Sequence, residues 1–168
     1  GKTFALMRRI MRLLEEGVEP RRIMLCTFTR TAARDLQEEV SRLGVPGAEE
    51  VYAGTVHSFC FRLLSRAEVL PLTGRVPRPL LRFEERFMLE DLRRVNNEGI
   101  KDLEKRLLAF SAAWARLQSD TPGWPQDAKD RAFLNALDAW LRFHKGMLVG
   151  ELVPTAFHFL RDNPASPH

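Results

Sequence analysis

Residues 23–40, "IMLCTFTRTAARDLQEEV", change their periodicity halfway along. The run from Ile23 to Cys26 is short, apolar and β-branched at its start, as a buried parallel strand requires. From Ala33 onward the apolar residues Ala33, Leu36, Val40 and Leu43 fall on one stripe of an amphipathic helix, which Gly44 ends. The same alternation continues on both sides. Upstream, Leu6, Ile10, Leu13 and Leu14 predict a helix from Lys2 to Glu16, stopped by Gly17. Downstream, "VYAGTV" (51–56) predicts a second short strand, and "HSFCFRLLSRA" (57–67) a helix with Phe59, Leu63 and Leu64 turned inward. Helix, strand, helix, strand, helix at this spacing is the signature of βαβ units around a parallel sheet.

The pattern changes near Leu70. "LPLTGRVPRP" (70–79) holds Pro71, Pro77 and Pro79 with one glycine and predicts a linker over 69–77. No strand pattern follows it. Phe83, Phe87, Met88 and Leu92 predict one helix closed near Asn96-Asn97. Leu103, Leu107, Phe110, Trp114 and Leu117 predict a longer one. "SDTPGWPQD" (119–127) breaks the pattern before Phe133, Leu137, Trp140, Leu141 and His144. A last helix is expected in "GELVPTAFHFLRDNP" (150–164), where Pro154 is tolerable only near the first turn. The expectation is an α/β part over 1–68, an all-helical part over 78–162 and a short return segment over 163–168.

The chain has 168 residues, 45% of them hydrophobic, and a formal net charge of +4. This basic excess permits a nucleic-acid partner without demanding one. Cys26 and Cys60 lie singly in apolar stretches without metal-ligand spacing, and are expected as buried free thiols of a cytoplasmic protein. No apolar run approaches the roughly 20 residues needed to cross a bilayer, and no membrane partner is expected. The chain opens on Gly1 without a methionine, which suggests a processed or excised piece.

Three short constellations carry chemistry. "GKT" (1–3) matches the last three positions of the phosphate-binding loop G-x-x-x-x-G-K-[ST]. In that loop the lysine reaches the ATP phosphates and the hydroxyl joins the Mg²⁺ shell. Here the motif opens an amphipathic helix, where a phosphate meets the positive helix end; taken alone, the triplet also arises by chance. In "LCTFTRTAARDL" (25–36), a strand end delivers Thr27, Phe28, Thr29 and Arg30 to the carboxyl edge of the sheet, where α/β proteins bind ligands. A ring that stacks on a base, two hydroxyls and a guanidinium suit a nucleic-acid strand. The competing reading puts Phe28 in the core and makes the threonines helix caps. In "AGTVHSFCFRLL" (53–64), Thr55, His57 and Ser58 occupy a second strand end and helix start, and no paired acid or nucleophile marks His57 as catalytic.

In this order the three pieces resemble the opening of the UvrD/Rep-type superfamily 1 DNA helicases, whose motifs read A-G-A-G-S-G-K-T, T-F-T-N-K-A-A-x-E-M and T-F-H-S-F. The resemblance covers residues 1–66 strongly and the helical part more weakly. It implies a partial P-loop NTPase (RecA-like) parallel-sheet domain carrying an all-helical insertion, cut inside the first motif and ending before an acidic D-E-x-Q motif. It implies ATP contact through Gly1, Lys2 and Thr3, with Thr3 on Mg²⁺. It also implies a single-strand DNA track through Thr27, Phe28, Thr29, Arg30, Thr55, His57 and Ser58. Arg30-Thr31 replaces the usual Asn-Lys, and Val56 replaces the usual Phe before His57. A complete member is a 3′-to-5′ translocase acting on single strands and single-strand/duplex junctions, with a second RecA-like domain in the same chain and a role in repair or recombination. Alternatives are a P-loop kinase, the helicase subunit of a helicase-nuclease, and a non-catalytic helical module that binds a protein. The chain by itself is expected not to turn over ATP, because hydrolysis needs a carboxylate at the metal and an arginine at the transferring phosphoryl group.

Overall fold

The computed structural model describes residues 1–164, so only Asn163 and Pro164 of the expected return segment are within view. It is mostly helical with one two-stranded parallel sheet. The chain forms two compact units that divide after Phe59, inside a helix, rather than at the proline-rich stretch.

The first unit, Gly1–Phe59, runs α1 (Lys2–Glu15), β1 (Met24–Thr27), α2 (Arg30–Ser41), β2 (Tyr52–Thr55) and the first turn of α3 (Val56–Leu64). β1 and β2 pair in parallel with Met24 opposite Tyr52 and Thr27 opposite Thr55. Gly17 and Gly44 take positive φ after α1 and α2, the left-handed backbone that stops a helix without a Cβ clash. The core joins Met7 and Ile10 of α1, Leu25 of β1, Val40 of α2, and Ile23, Ala48 and Val51 beside the strands. Two expectations change here. Met7 is buried and Leu6 exposed in the first turns of α1, while Ile10, Leu13 and Leu14 turn to the core as expected. β1 alternates rather than being buried throughout: Leu25 points into the core, while Met24 and Cys26 are exposed on the opposite face. Cys26 is therefore not a buried thiol, although partial burial still raises its pKa; Cys60 is buried.

The second unit, residues 60–164, holds the rest of α3, a single turn α4 (Leu70–Thr73), α5 (Arg82–Asn96), α6 (Ile100–Ala115), α7 (Ala128–Phe143) and α8 (Val149–Asp162). Its core gathers Met88, Leu89 and Leu92 from α5, Leu103, Phe110 and Trp114 from α6, and Phe133, Leu137 and Leu141 from α7. Leu107 and Trp140 pack against it half-buried. Phe83 and Phe87 lie on the expected helix and are exposed. Leu117 adopts left-handed backbone beyond the end of α6. His144 lies at the exposed C-terminus of α7. Pro154 occupies the sixth position of α8, well past the first turn, and is buried there. No helix among the described residues is long and apolar enough to cross a membrane.

The 69–77 stretch is more than a tether. Arg75 is only 11% exposed and reaches Glu151 of α8 at 2.9 Å and Asp138 of α7 at 3.4 Å. Glu151 also accepts the Leu148 N–H at 2.8 Å, closing the start of α8. Burial pushes the Glu151 carboxyl above its ordinary value of 4.5, against the opposing pull of Arg75 and the Leu148 N–H. A carboxyl whose folded value is raised binds its proton more tightly folded than unfolded. The stability it contributes therefore falls as pH rises from the ordinary value through the raised one. In denaturation across an acidic pH series, the stability of wild type relative to Glu151→Gln should decline over that window. A rise would show that the Arg75 pair outweighs desolvation.

Candidate functional site

Parallel pairing brings the two expected strand ends together. Thr27 and Thr55 are register partners, and immediately beyond them the chain turns into α2 and α3. Two helix N-termini thus open side by side at the carboxyl edge of the sheet, where outward N–H groups and helix dipoles favour an anionic ligand.

The α2 corner is built by Thr29. Its backbone is extended (φ −119°, ψ 149°), and its Oγ1 accepts the Ala32 N–H at 3.2 Å as a side-chain N-cap. This geometry throws the neighbouring side chains outward. Phe28 is 96% exposed, so the reading that buries it is overturned. Arg30, the first helical residue, is exposed and makes no ion pair among the described residues. Thr29→Ala should destabilise the first unit by about 1 kcal/mol through loss of the cap, measurable as a lower denaturation midpoint.

The α3 corner is braced from inside. Ser58 N–H donates to Thr55 Oγ1 at 3.1 Å, and Ser58 Oγ donates to the Thr55 carbonyl at 2.8 Å. The Thr55 hydroxyl donates to Ser58 Oγ at 3.1 Å, and Tyr52 OH lies 3.0 Å from the same oxygen. With its one proton given to Thr55, Ser58 Oγ must accept from Tyr52, and its hydrogen-bonding capacity is then full. Tyr52 reaches it by lying across Gly54, where any Cβ would collide with the ring. His57 projects outward and is exposed. The seven expected positions therefore divide by role. Thr29, Thr55 and Ser58 shape the corners, Thr29 alone as the helix-cap reading of Thr27 and Thr29 has it, while Phe28, Arg30 and His57 are presented to solvent and Thr27 is half-buried.

Gly1, Lys2 and Thr3 stand at the start of α1. Gly1 is the N-cap, with its carbonyl taking the Ala5 N–H at 3.3 Å and no side chain capping the turn. Lys2 and Thr3 are exposed, and neither side chain has a partner among the described residues. Lys2 and Thr3 thus stand in the first turn of α1, at the positive end of its dipole, where a phosphate is favoured. Among the described residues no three His, Cys, Asp or Glu side chains gather where a metal ion could sit.

Two supports were not legible in the sequence. Gln37 of α2 accepts the Ala53 N–H at 3.0 Å and donates to the Val51 carbonyl at 3.4 Å, tying α2 to the outer edge of β2. Tyr52 fixes Ser58 from the strand. Both act across folded distance, and only the hydroxyl and amide types of these side chains hint at it.

Residues 1–136 match the model of the UvrD/REP helicase N-terminal domain. The ATP-dependent DNA helicase PcrA of Bacillus subtilis (strain 168) is 43% identical over 67 residues, covering 39% of this chain and 9% of that protein. The PcrA helicase of Staphylococcus aureus (strain Mu50) is 32% identical over 133 residues, covering 79% of this chain and 18% of that protein. That of Staphylococcus epidermidis is 30% identical over the same length. The matched part of the chain thus spans less than a fifth of these relatives.

Proposed function

This chain belongs to the UvrD/REP helicase family, through the N-terminal domain of such an enzyme, and on that premise we propose that it supplies the first motor segment of an ATP-dependent 3′-to-5′ DNA translocase. The observation that carries the reading is the pair of strand ends at Thr27 and Thr55, which set an exposed ring, an unpaired guanidinium and two helix N-termini on one edge. A base stacks on Phe28. Arg30 and the open first-turn amides of α2 and α3 take backbone phosphates, with His57 beside them. Thr29, Thr55 and Ser58 hold that edge in shape.

ATP with Mg²⁺ supplies the phosphoryl-transfer energy that moves such a motor. Lys2 would hold its phosphates, the start of α1 would add N–H donors, and Thr3 would offer its hydroxyl to the metal. The whole enzyme would act at single-strand/duplex junctions together with a second RecA-like domain, in cytoplasmic repair or recombination. The test is polarity: the intact protein should unwind a duplex carrying a 3′ single-stranded tail and leave a 5′-tailed one paired. Equal unwinding of both, or of the 5′-tailed substrate alone, refutes the direction. ATP-independent binding with no unwinding refutes the motor.

A further inference from the structure

Phe83 and Phe87 lie four residues apart on α5, 59% and 64% exposed, with their rings edge to face at 6.4 Å. Large apolar side chains so placed contribute nothing to the core of the helical unit. They do not stand alone. Arg78 ties the start of α5 to the end of α7, binding Glu84 at 2.8 Å and the carbonyls of His144 and Lys145 at 3.2 Å. Farther along the same seam, the Trp140 indole N–H donates to Asp91 at 2.9 Å. At the α7 side the His144 ring stacks on Trp140 at 3.9 Å, and Phe143, 82% exposed, meets His144 edge-on at 5.0 Å. On a helical wheel Phe83 and Phe87 flank the Glu84–Asp91 line on its solvent side, as Phe143 flanks the Trp140–His144 line. Five rings therefore follow the outer seam of α5 and α7.

Of the acids on α5, Glu84 binds Arg78, Asp91 accepts the Trp140 N–H, Glu90 lies 3.6 Å from Arg93, and Glu85 has no ion pair among the described residues. Arg82, Arg86, Arg94 and Lys145 are exposed and have no ion pair among the described residues. Rings open to stacking and flanked by unpaired cations form the kind of surface that holds single-stranded nucleic acid without reading its sequence. A protein-docking face does not require its neighbouring cations to be left free.

We propose that the α5–α7 seam of the helical unit is a binding site for single-stranded nucleic acid in addition to the strand-end track. Bases stack on Phe83, Phe87 and Phe143, and Arg86 with its neighbouring cations contacts phosphates.

The test uses the whole chain with oligodeoxythymidylate and oligodeoxyadenylate, in a Phe28→Ala/Arg30→Ala background that disables the strand-end track. Residual affinity should fall by about 30-fold or more on adding Phe83→Ala/Phe87→Ala, alike for both sequences. The thermal midpoint should stay unchanged, because both rings are exposed. Arg86→Ala should reduce the log–log salt slope by about 0.7. Phe143→Ala should lower affinity without altering that slope. No residual binding in the background, or residual binding indifferent to all three rings, overturns the proposal. So does a change in self-association with no change in DNA affinity, which would make the seam a protein-docking face. If the background itself binds like wild type while the seam variants weaken binding, the track fails and the seam stands.

Discussion

Phe133→Ala is expected to destabilise the helical unit by about 3–5 kcal/mol, the range for emptying a large aromatic site from a packed core. Phe133 has no exposed surface, and it lies between two kinds of neighbour. Its ring meets Phe110 at 5.5 Å, and Phe110 in turn meets Trp124 at 5.2 Å and Trp114 at 6.1 Å. On another side the Arg106 guanidinium lies 5.6 Å from the ring centroid, anchored to Glu98 and to Asp130 at 3.1 Å each. Removing the ring would leave a cavity that these neighbours cannot fill, because Phe110 is fixed by two tryptophans and Arg106 by two carboxylates. Trp114→Ala, at 8% exposure, should fall in the same range. Chemical denaturation of the helical unit measures both. A loss under about 1 kcal/mol for either would remove that residue from the core.

Those core positions were legible because Leu103, Phe110 and Trp114, and then Phe133, Leu137 and Leu141, repeat at helical spacing and all point inward. Periodicity fixes a stripe only to within about one residue, however, and it cannot tell which apolar side chains a neighbour covers. Leu6 and Met7 compete for the same arc of α1, and the core takes Met7. Phe83 and Phe87 are apolar and share α5 with Met88 and Leu92, but at 3.6 residues per turn they fall on a different face of the helix and are exposed. Cys26 follows Leu25 in a run that reads as buried throughout, and the alternation of a two-stranded sheet exposes it. Pro154 is accommodated deep in α8, which contact-free helix rules exclude. At the candidate site the residue types and their order were readable, and so was the cap at Thr29. The division between presented and bracing groups was not, because it depends on Tyr52 crossing Gly54 and on Gln37 reaching the edge of β2.

Arg30→Ala and Phe28→Ala should weaken single-strand binding by separable routes. Arg30 is exposed, unpaired and at the first position of α2, so its guanidinium contributes charge and little to the fold. Its loss should weaken binding to all sequences alike and reduce the log–log salt slope by about 0.7, the single-strand value for one counterion. Phe28 carries no charge and touches no core. Phe28→Ala should cost about 1–3 kcal/mol of affinity with almost no change in salt slope. Exposure of 96% now fixes the control as well: neither substitution should move the thermal midpoint, so any affinity lost cannot be a consequence of unfolding. Thr29→Ala supplies the contrast, since it should lower stability first and affinity only by loosening the corner. The measurement is salt-dependent affinity with thermal denaturation on the same three variants. An unchanged slope for Arg30→Ala together with unchanged affinity for Phe28→Ala would take this strand end out of the DNA path.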